Sequence, residues 1–250
     1  MERQHLVVTA NIGGRSLHPE SRASMEAAAH RWGAWFIELA DWPLDDVPAD
    51  DPFRAKLHMD RIVASQRAAP RRPARVCWFD ADMLIRDDTP SVFEHVSPGR
   101  FGGVANLQSA TTGLAEYQAW WLMAVADIAE TSTVPLDLDT YVNGGLMVFD
   151  WPEHASVWQL ARRGIDAGRR FPGRERVNPM YEQTAVNVAA RMTTDMTIMP
   201  ATWNRVGEHV WQWPAGKLMD AYGFHFANYL GFRGAANKLK RAGEVQWRTA

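Results

Sequence analysis

A single cysteine, Cys77, stands among 250 residues and lies inside an apolar run, which excludes a disulfide framework. A reducing, cytoplasmic setting is the expectation. Long hydrophobic runs are also lacking. The longest apolar cluster, "AWWLMAVA" at 119–126, falls far short of the roughly 20 residues a bilayer span needs. The opening "MERQHLVVTANIGG" has neither an apolar signal core nor a small-residue cleavage site. No stable membrane insertion is therefore expected. Nor is there an excess of one charge: the net charge is −2 with 22% charged residues. Overall charge gives no drive toward nucleic acid or an acidic membrane. Internal repeats and low-complexity segments are missing too.

What is present is apolar content, 46% of the chain, and a chain of this size buries roughly 75% of its unfolded surface. One domain spanning 1–250 is expected. "HLVVTA" (5–10), "AWFIEL" (34–39), "VCWF" (76–79), "RFGGVAN" (100–106), "GGLMVFD" (144–150), "DMTIMP" (195–200) and "AYGFHFAN" (221–228) read as strands. Between them lie helical spacings, including one opened by Pro19 and stopped by Gly33, and others over 52–66, 113–130, 152–168 and 181–192. Strands that alternate with helices and are nearly all apolar imply an α/β fold, a mostly parallel sheet flanked by helices on both faces. Twelve tryptophans are an unusual number. Trp32, Trp35, Trp78 and Trp158 read as core. Trp203, Trp211 and Trp213 lie in a Pro- and Gly-punctuated stretch and suit stacking on a sugar or base equally well.

In open α/β sheets, ligands collect outside the carboxyl ends of the strands. "NIGG" follows the first strand there, and "DAD" follows "VCWF". Asp80 and Asp82, separated by the small Ala81, can both turn toward one point at the rim of the sheet. A divalent cation at that point removes their repulsion and leaves positions open for phosphate oxygens. The bland alternative is a solvated acidic turn, which fits Asp87 and Asp88 better. A haloacid-dehalogenase-type phosphatase also uses D-x-D after a strand, but Leu84 stands where Thr or Val is expected, and three elements precede the motif. A nucleotidyltransferase is matched only loosely by "TANIGGRSLHPE".

Several stretches in order resemble the nucleotide-sugar glycosyltransferases of the GT-A fold. They are most similar to the retaining family eight, which holds glycogenin and bacterial lipopolysaccharide galactosyltransferases. These are "LVVTANIGG", "AKLHMDRI", "WFDADMLI", "YVNGGLMVFD", "YEQTAVN" and "GFHFAN", covering roughly residues 5 to 230. The resemblance implies a Rossmann-like GT-A domain with a nucleotide-binding part (1–105), a sugar and acceptor part (106–230) and a C-terminal tail (231–250). It implies that Asp80 contacts ribose and metal, that Asp82 binds the metal, and that His225 completes the ligands. Thr9, Ala10 and Asn11 would line the base and ribose, and Lys56 would meet the diphosphate or the sugar. Asn143, Gly144 and Gly145 would hold the transferred sugar, with Glu182 and Gln183 beneath the anomeric carbon. A nitrogen ligand beside two carboxylates suits Mn²⁺ better than Mg²⁺. The chain departs from the family in Glu182, where Asp is usual, and in lacking the run that normally follows the C-terminal histidine; Lys238 or Lys240 stands in its place.

The implied activity is transfer of a hexose from a nucleotide diphosphate sugar, UDP favoured by the resemblance, to a hydroxyl acceptor with retention. Gln183 would then stabilise the cationic centre rather than attack it. An inverting route would need Glu182 or Asp139 as base. The acceptor is open among a glycan, a lipid-linked glycan and a hydroxymethylated DNA base, as in phage-type DNA glycosyltransferases. The last alternative draws on six arginines within 161–176 and on "PRRPAR" (70–75). A non-catalytic sugar-nucleotide-binding protein on the same fold is a further alternative.

Overall fold

Strand β1 (His5–Ala10) sends Leu6 and Val8 into one core and Val7 into another, and all three are buried. That alternation, continued through its neighbours, builds a sheet with two covered faces. The computed structural model describes residues 5–11, 19–41, 44, 55–65, 74–106, 114–128, 134–168, 179–206 and 220–225. After β1 come α1 (Pro19–Arg31), β2 (Ala34–Leu39), α2 (Met59–Ser65), β3 (Arg75–Phe79), β4 (Met83–Ile85) and β5 (Phe101–Ala105). Then follow α3 (Leu114–Ile128), β6 (Val142–Asp150), α4 (Ala155–Gly168), α5 (Pro179–Thr193), β7 (Met196–Met199), β8 (Arg205–Val206) and β9 (Gly223–His225).

Six strands form the main sheet in the order β2-β1-β3-β6-β5-β7. β6 runs antiparallel to both its neighbours, and the other pairings are parallel. This is the mostly parallel α/β sheet that the alternation of elements predicts. One face of β3 and β6 carries Val76, Trp78, Met147 and Phe149 against α3, α4 and α5; the other carries Cys77, Phe79, Leu146 and Val148 against α1. Trp158 fills the first core, packed edge-on to Phe149 with ring centroids 4.9 Å apart. Gly33, at φ +64°, stops α1 in the left-handed conformation that glycine adopts without strain.

A second, three-stranded sheet, β4-β9-β8, stands next to the first. β4 and β8 are too short for sequence periodicity to register. Two serines of α1 secure β4: the Ser21 hydroxyl donates to Met83 O at 2.6 Å, and Ser24 Oγ accepts from the Ile85 N–H at 3.1 Å. The predicted helix over 52–66 begins, within the described residues, as a 3₁₀ turn at Lys56–His58 that runs into α2. Trp32 and Trp35 are half-buried, whereas Trp78 and Trp158 lie deep in the core.

Two sequence expectations change here. Trp203, offered as a stacking surface, is fully buried and packs edge-on to Trp32 (5.9 Å) and His95 (5.2 Å). Trp211 and Trp213 lie outside the described residues. Arg75, counted with the basic loop, belongs to β3. It is buried, paired with Asp150 at 2.8 Å, and donates to Phe93 O and Val96 O at 2.7 and 2.6 Å. Among the described residues no helix is long and apolar enough to cross a membrane.

Candidate active site

Because β6 is antiparallel, its first residues lie beside the carboxyl end of β3. The Asp80 N–H donates to Gly145 O at 2.8 Å, extending the β3–β6 ladder one step past the strand. The chain then turns at Ala81 and Asp82 and enters β4. β4 pairs antiparallel with β9, so that His225 stands opposite Met83, one residue after Asp82. Strand pairing, rather than proximity along the chain, thus delivers the histidine to the acidic turn.

His225 Nε2 lies 3.2 Å from Asp82 Oδ1 and 3.7 Å from Asp80 Oδ2. One ligand atom from each of Asp80, Asp82 and His225 falls within 4.8 Å of the others. Adjacent ligands of an ion that takes oxygen and nitrogen at roughly 2.0–2.2 Å stand about 3 Å apart. These three side chains therefore fit around one divalent cation. The carboxylates were expected at the open rim of the sheet. Asp80 is partly accessible there, but Asp82 is 7% exposed and His225 5%.

The site is electrostatically tight. Lys56 Nζ reaches Asp80 Oδ1 at 3.2 Å and Glu182 Oε1 at 3.6 Å. Burial alone would lower the lysine's pKa, but Asp80, Glu182 and Asp82 outweigh it and hold the ammonium above its ordinary range. Burial would also raise Asp82, yet the imidazole of His225 holds it below the usual carboxylate value. The reciprocal balance raises His225: burial opposes its charge, and Asp82 and then Asp80 favour it. The turn bearing Lys56 is itself anchored. Arg162 of α4 donates to Leu57 O at 2.7 Å and pairs with both oxygens of the buried Asp60.

"NGG" and "EQ" meet across β6 and α5. The Gly144 N–H donates to Gln183 Oε1 at 2.7 Å, and the Gly145 N–H to Asn143 Oδ1 at 2.8 Å. Asn187 completes the join, accepting from the Val142 N–H at 2.7 Å and donating to Val142 O at 2.9 Å. Gly145 is required by the histidine packed against it. A Cβ there would stand 2.3 Å from His225 Cε1, whereas at Gly144 the nearest atoms would be 3.5 Å away.

Lys56, Asp80, Asp82, Asn143, Gly144, Gly145, Glu182, Gln183 and His225 are thus brought together. The others stand apart. Thr9 is fully buried in β1, so only Ala10 and Asn11 of that trio keep accessible surface, and Asn11 donates to Glu38 Oε1 at 3.3 Å. Asp139 sits exposed on a 3₁₀ turn, its N–H bound to Asp137 Oδ1 at 3.0 Å, outside the cluster. Lys238 and Lys240 lie outside the described residues. Two further residues join the site, Trp78, which the sequence offers only as core, and Asn204. The indole N–H of Trp78 donates to Asp80 Oδ1 at 2.7 Å, and Asn204 Nδ2 donates to Asn143 Oδ1 at 2.9 Å. For Trp78 the i, i+2 spacing on a strand is a signal; Asn204 carries none.

No family model and no curated protein sequence matches the chain. Solved structures do. One is a glycosyltransferase involved in the glycosylation of the major capsid of PBCV-1, at 12% identity and a TM-score of 0.55, covering 94% of this chain and 98% of that one. Another is the galactosyltransferase LgtC in complex with donor and acceptor sugar analogs, at 13% identity and a TM-score of 0.50, covering 98% and 97%. An active-site variant of LgtC aligns at 10% identity and a TM-score of 0.51 over the same shares. The chain has the GT-A-type fold of these glycosyltransferases.

Proposed function

We propose that this protein is a metal-dependent glycosyltransferase. It transfers a hexose from a nucleotide diphosphate sugar, preferentially a UDP-sugar, to a hydroxyl acceptor with retention, as in family eight. The observation that carries this is the convergence of Asp80, Asp82, His225 and Lys56 at the carboxyl edge of a GT-A-type sheet. An enzyme of this kind must hold a diphosphate while it leaves. Asp80, Asp82 and His225 would hold the divalent cation, Mn²⁺ by its mixed nitrogen and oxygen donors. Bound there, the cation neutralises charge on the departing oxygens, worth several kcal/mol. Lys56 adds a fixed positive charge on the same side. Ala10 and Asn11 would meet the nucleoside, with Thr9 supporting them from the core. Asn143 and Gly144 would face the sugar.

Retention is supported by the state of the two carboxylates an inverting route would need. Glu182 is 2% exposed and paired with Lys56, and Asp139 is exposed and outside the cluster. A carboxylate that deep and turned toward an ammonium is poorly placed to reach an acceptor hydroxyl. Gln183 also makes a weak nucleophile, because its carbonyl oxygen already accepts the Gly144 N–H. Its place is beside the reacting carbon, positioned by β6. A DNA acceptor loses part of its support: Arg75 and Arg162 are committed to Asp150 and Asp60. The other arginines cited for it are Arg163, exposed on α4, and residues outside the described ones.

The test is nucleotide release from a panel of UDP- and GDP-sugars, with and without Mn²⁺, in the parent and in D82N. Metal-dependent release from at least one donor, abolished in D82N, is the expected result. Absence of metal-dependent release from every donor refutes the proposal and leaves a sugar-nucleotide-binding protein on the same fold.

A further inference from the structure

The Asn143 carboxamide is held from two sides. Its Oδ1 accepts the Gly145 N–H at 2.8 Å and the Asn204 Nδ2 donor at 2.9 Å. A backbone N–H can only donate, so the atom it meets must be the oxygen, and the amide cannot be assigned the other way round. What Asn143 then has to offer a ligand is its nitrogen, with two N–H donors and no acceptor. The bond to Gly145 spans two residues of one strand and would by itself leave the side chain room to turn. The bond from Asn204 crosses 61 residues and comes from the residue just before β8.

Asn204 is an expensive way to fill that position. It is 5% exposed, between the fully buried Trp203 and β8, and its own Oδ1 is buried with no hydrogen-bond partner among the described residues. An orphaned buried acceptor costs stability that an apolar side chain of the same size would avoid. The carboxamide therefore makes sense at 204 through its other end, the donor to Asn143.

We propose that Asn204 is a positioning residue for the donor sugar: it locks Asn143 so that the pocket presents N–H donors, and a sugar hydroxyl is recognised there as an acceptor. Its ligand rests on the glycosyl-transfer reading; the lock itself does not. In the ligand-free protein, N204A or N204D lets the Asn143 amide turn, and amide hydrogen exchange at Gly145 is expected to accelerate about tenfold while amides within β1 keep their protection. In the presence of Mn²⁺, affinity for UDP-galactose or UDP-glucose is expected to fall about tenfold, with affinity for UDP, which has no sugar, unchanged. Should N204D not fold, N204A carries both measurements.

Unaltered Gly145 exchange overturns the lock. Faster exchange with an unaltered ratio of UDP-sugar to UDP affinity overturns the role in sugar recognition. A parent protein that binds UDP but neither UDP-sugar overturns the ligand assigned here, while Gly145 exchange still decides the lock and the donor panel decides glycosyl transfer.

Discussion

The imidazole of His225 occupies the space that a side chain on Gly145 would need, with Cε1 2.3 Å and Nδ1 2.6 Å from the position of its Cβ. A contact that close has to be relieved, and the Gly145 carbonyl is held on the β3 side by the Asp80 N–H. The ring must move, taking a metal ligand with it. Gly145→Ala is therefore expected to cost about 1–3 kcal/mol through overpacking and to weaken metal binding. Gly144→Ala meets only ordinary contacts at 3.5 Å and should change stability by less than about 1 kcal/mol. Urea denaturation of the two variants, with Mn²⁺ titrations beside it, checks this contrast between adjacent glycines. Equal behaviour would remove the assigned reason for the second one.

Lys56 is the cation that the acidic cluster leans on. Its side chain is 11% exposed and that of Glu182 3%, so solvent does little to screen them. Lys56→Met leaves Asp80, Asp82 and Glu182 facing one another with only His225 to offset them. Breaking such a buried pair from one side costs roughly 3–5 kcal/mol. Scanning calorimetry of metal-free protein should show that loss, and saturating Mn²⁺ should restore part of it. A variant as stable as the parent would mean that the carboxylates take up protons instead.

Metal binding itself has a stability signature, because a ligand that binds only the folded chain raises its melting temperature in proportion to RT ln(1 + [L]/Kd). At a hundredfold excess over Kd the gain is about 2.7 kcal/mol. Mn²⁺ should therefore raise the Tm of the parent and leave those of D82N and H225A nearly unmoved. The same shift in all three proteins would place the ion elsewhere.

The legible parts of this site are those whose partners lie near one another in sequence. Asp80 and Asp82 follow the apolar run Val76–Phe79, and Asn143 to Gly145 and Glu182–Gln183 form short motifs that survive without a fold. The nearly unbroken apolar runs of β1 and β3 likewise announce a sheet covered on both faces. Long-range pairings stay hidden. Arg75 reads as one more arginine in a basic loop until Asp150, 75 residues on, takes it into the core. Arg162 reads as part of a phosphate track until Asp60 claims it. Trp203 lacks periodic neighbours because its cluster draws on Trp32, His95 and Tyr222. Asn204 carries no motif at all.

At the far end of β6, His154 provides a test of pH dependence outside the metal cluster. Its Nδ1 accepts the Asp150 N–H at 2.9 Å, so Nε2 carries the ring proton and lies 3.0 Å from Thr194 Oγ1. Protonating Nδ1 would set two donors against each other. Burial, aided by Arg75, holds the imidazole below the ordinary histidine value, although the Gly99 carbonyl, Asp150 and Glu153 pull the other way. In the unfolded chain the same ring titrates near 6.5. Between that value and the lower folded one, the unfolded state binds more protons, so stability falls as the pH drops. The contribution is complete above about pH 6.5 and is lost on acidification toward the folded pKa. Urea denaturation at pH 7.5 and 5.5 should show a larger loss in the parent than in H154N, whose amide accepts the same N–H without titrating. Parallel losses in the two proteins would show that His154 is not the group responsible.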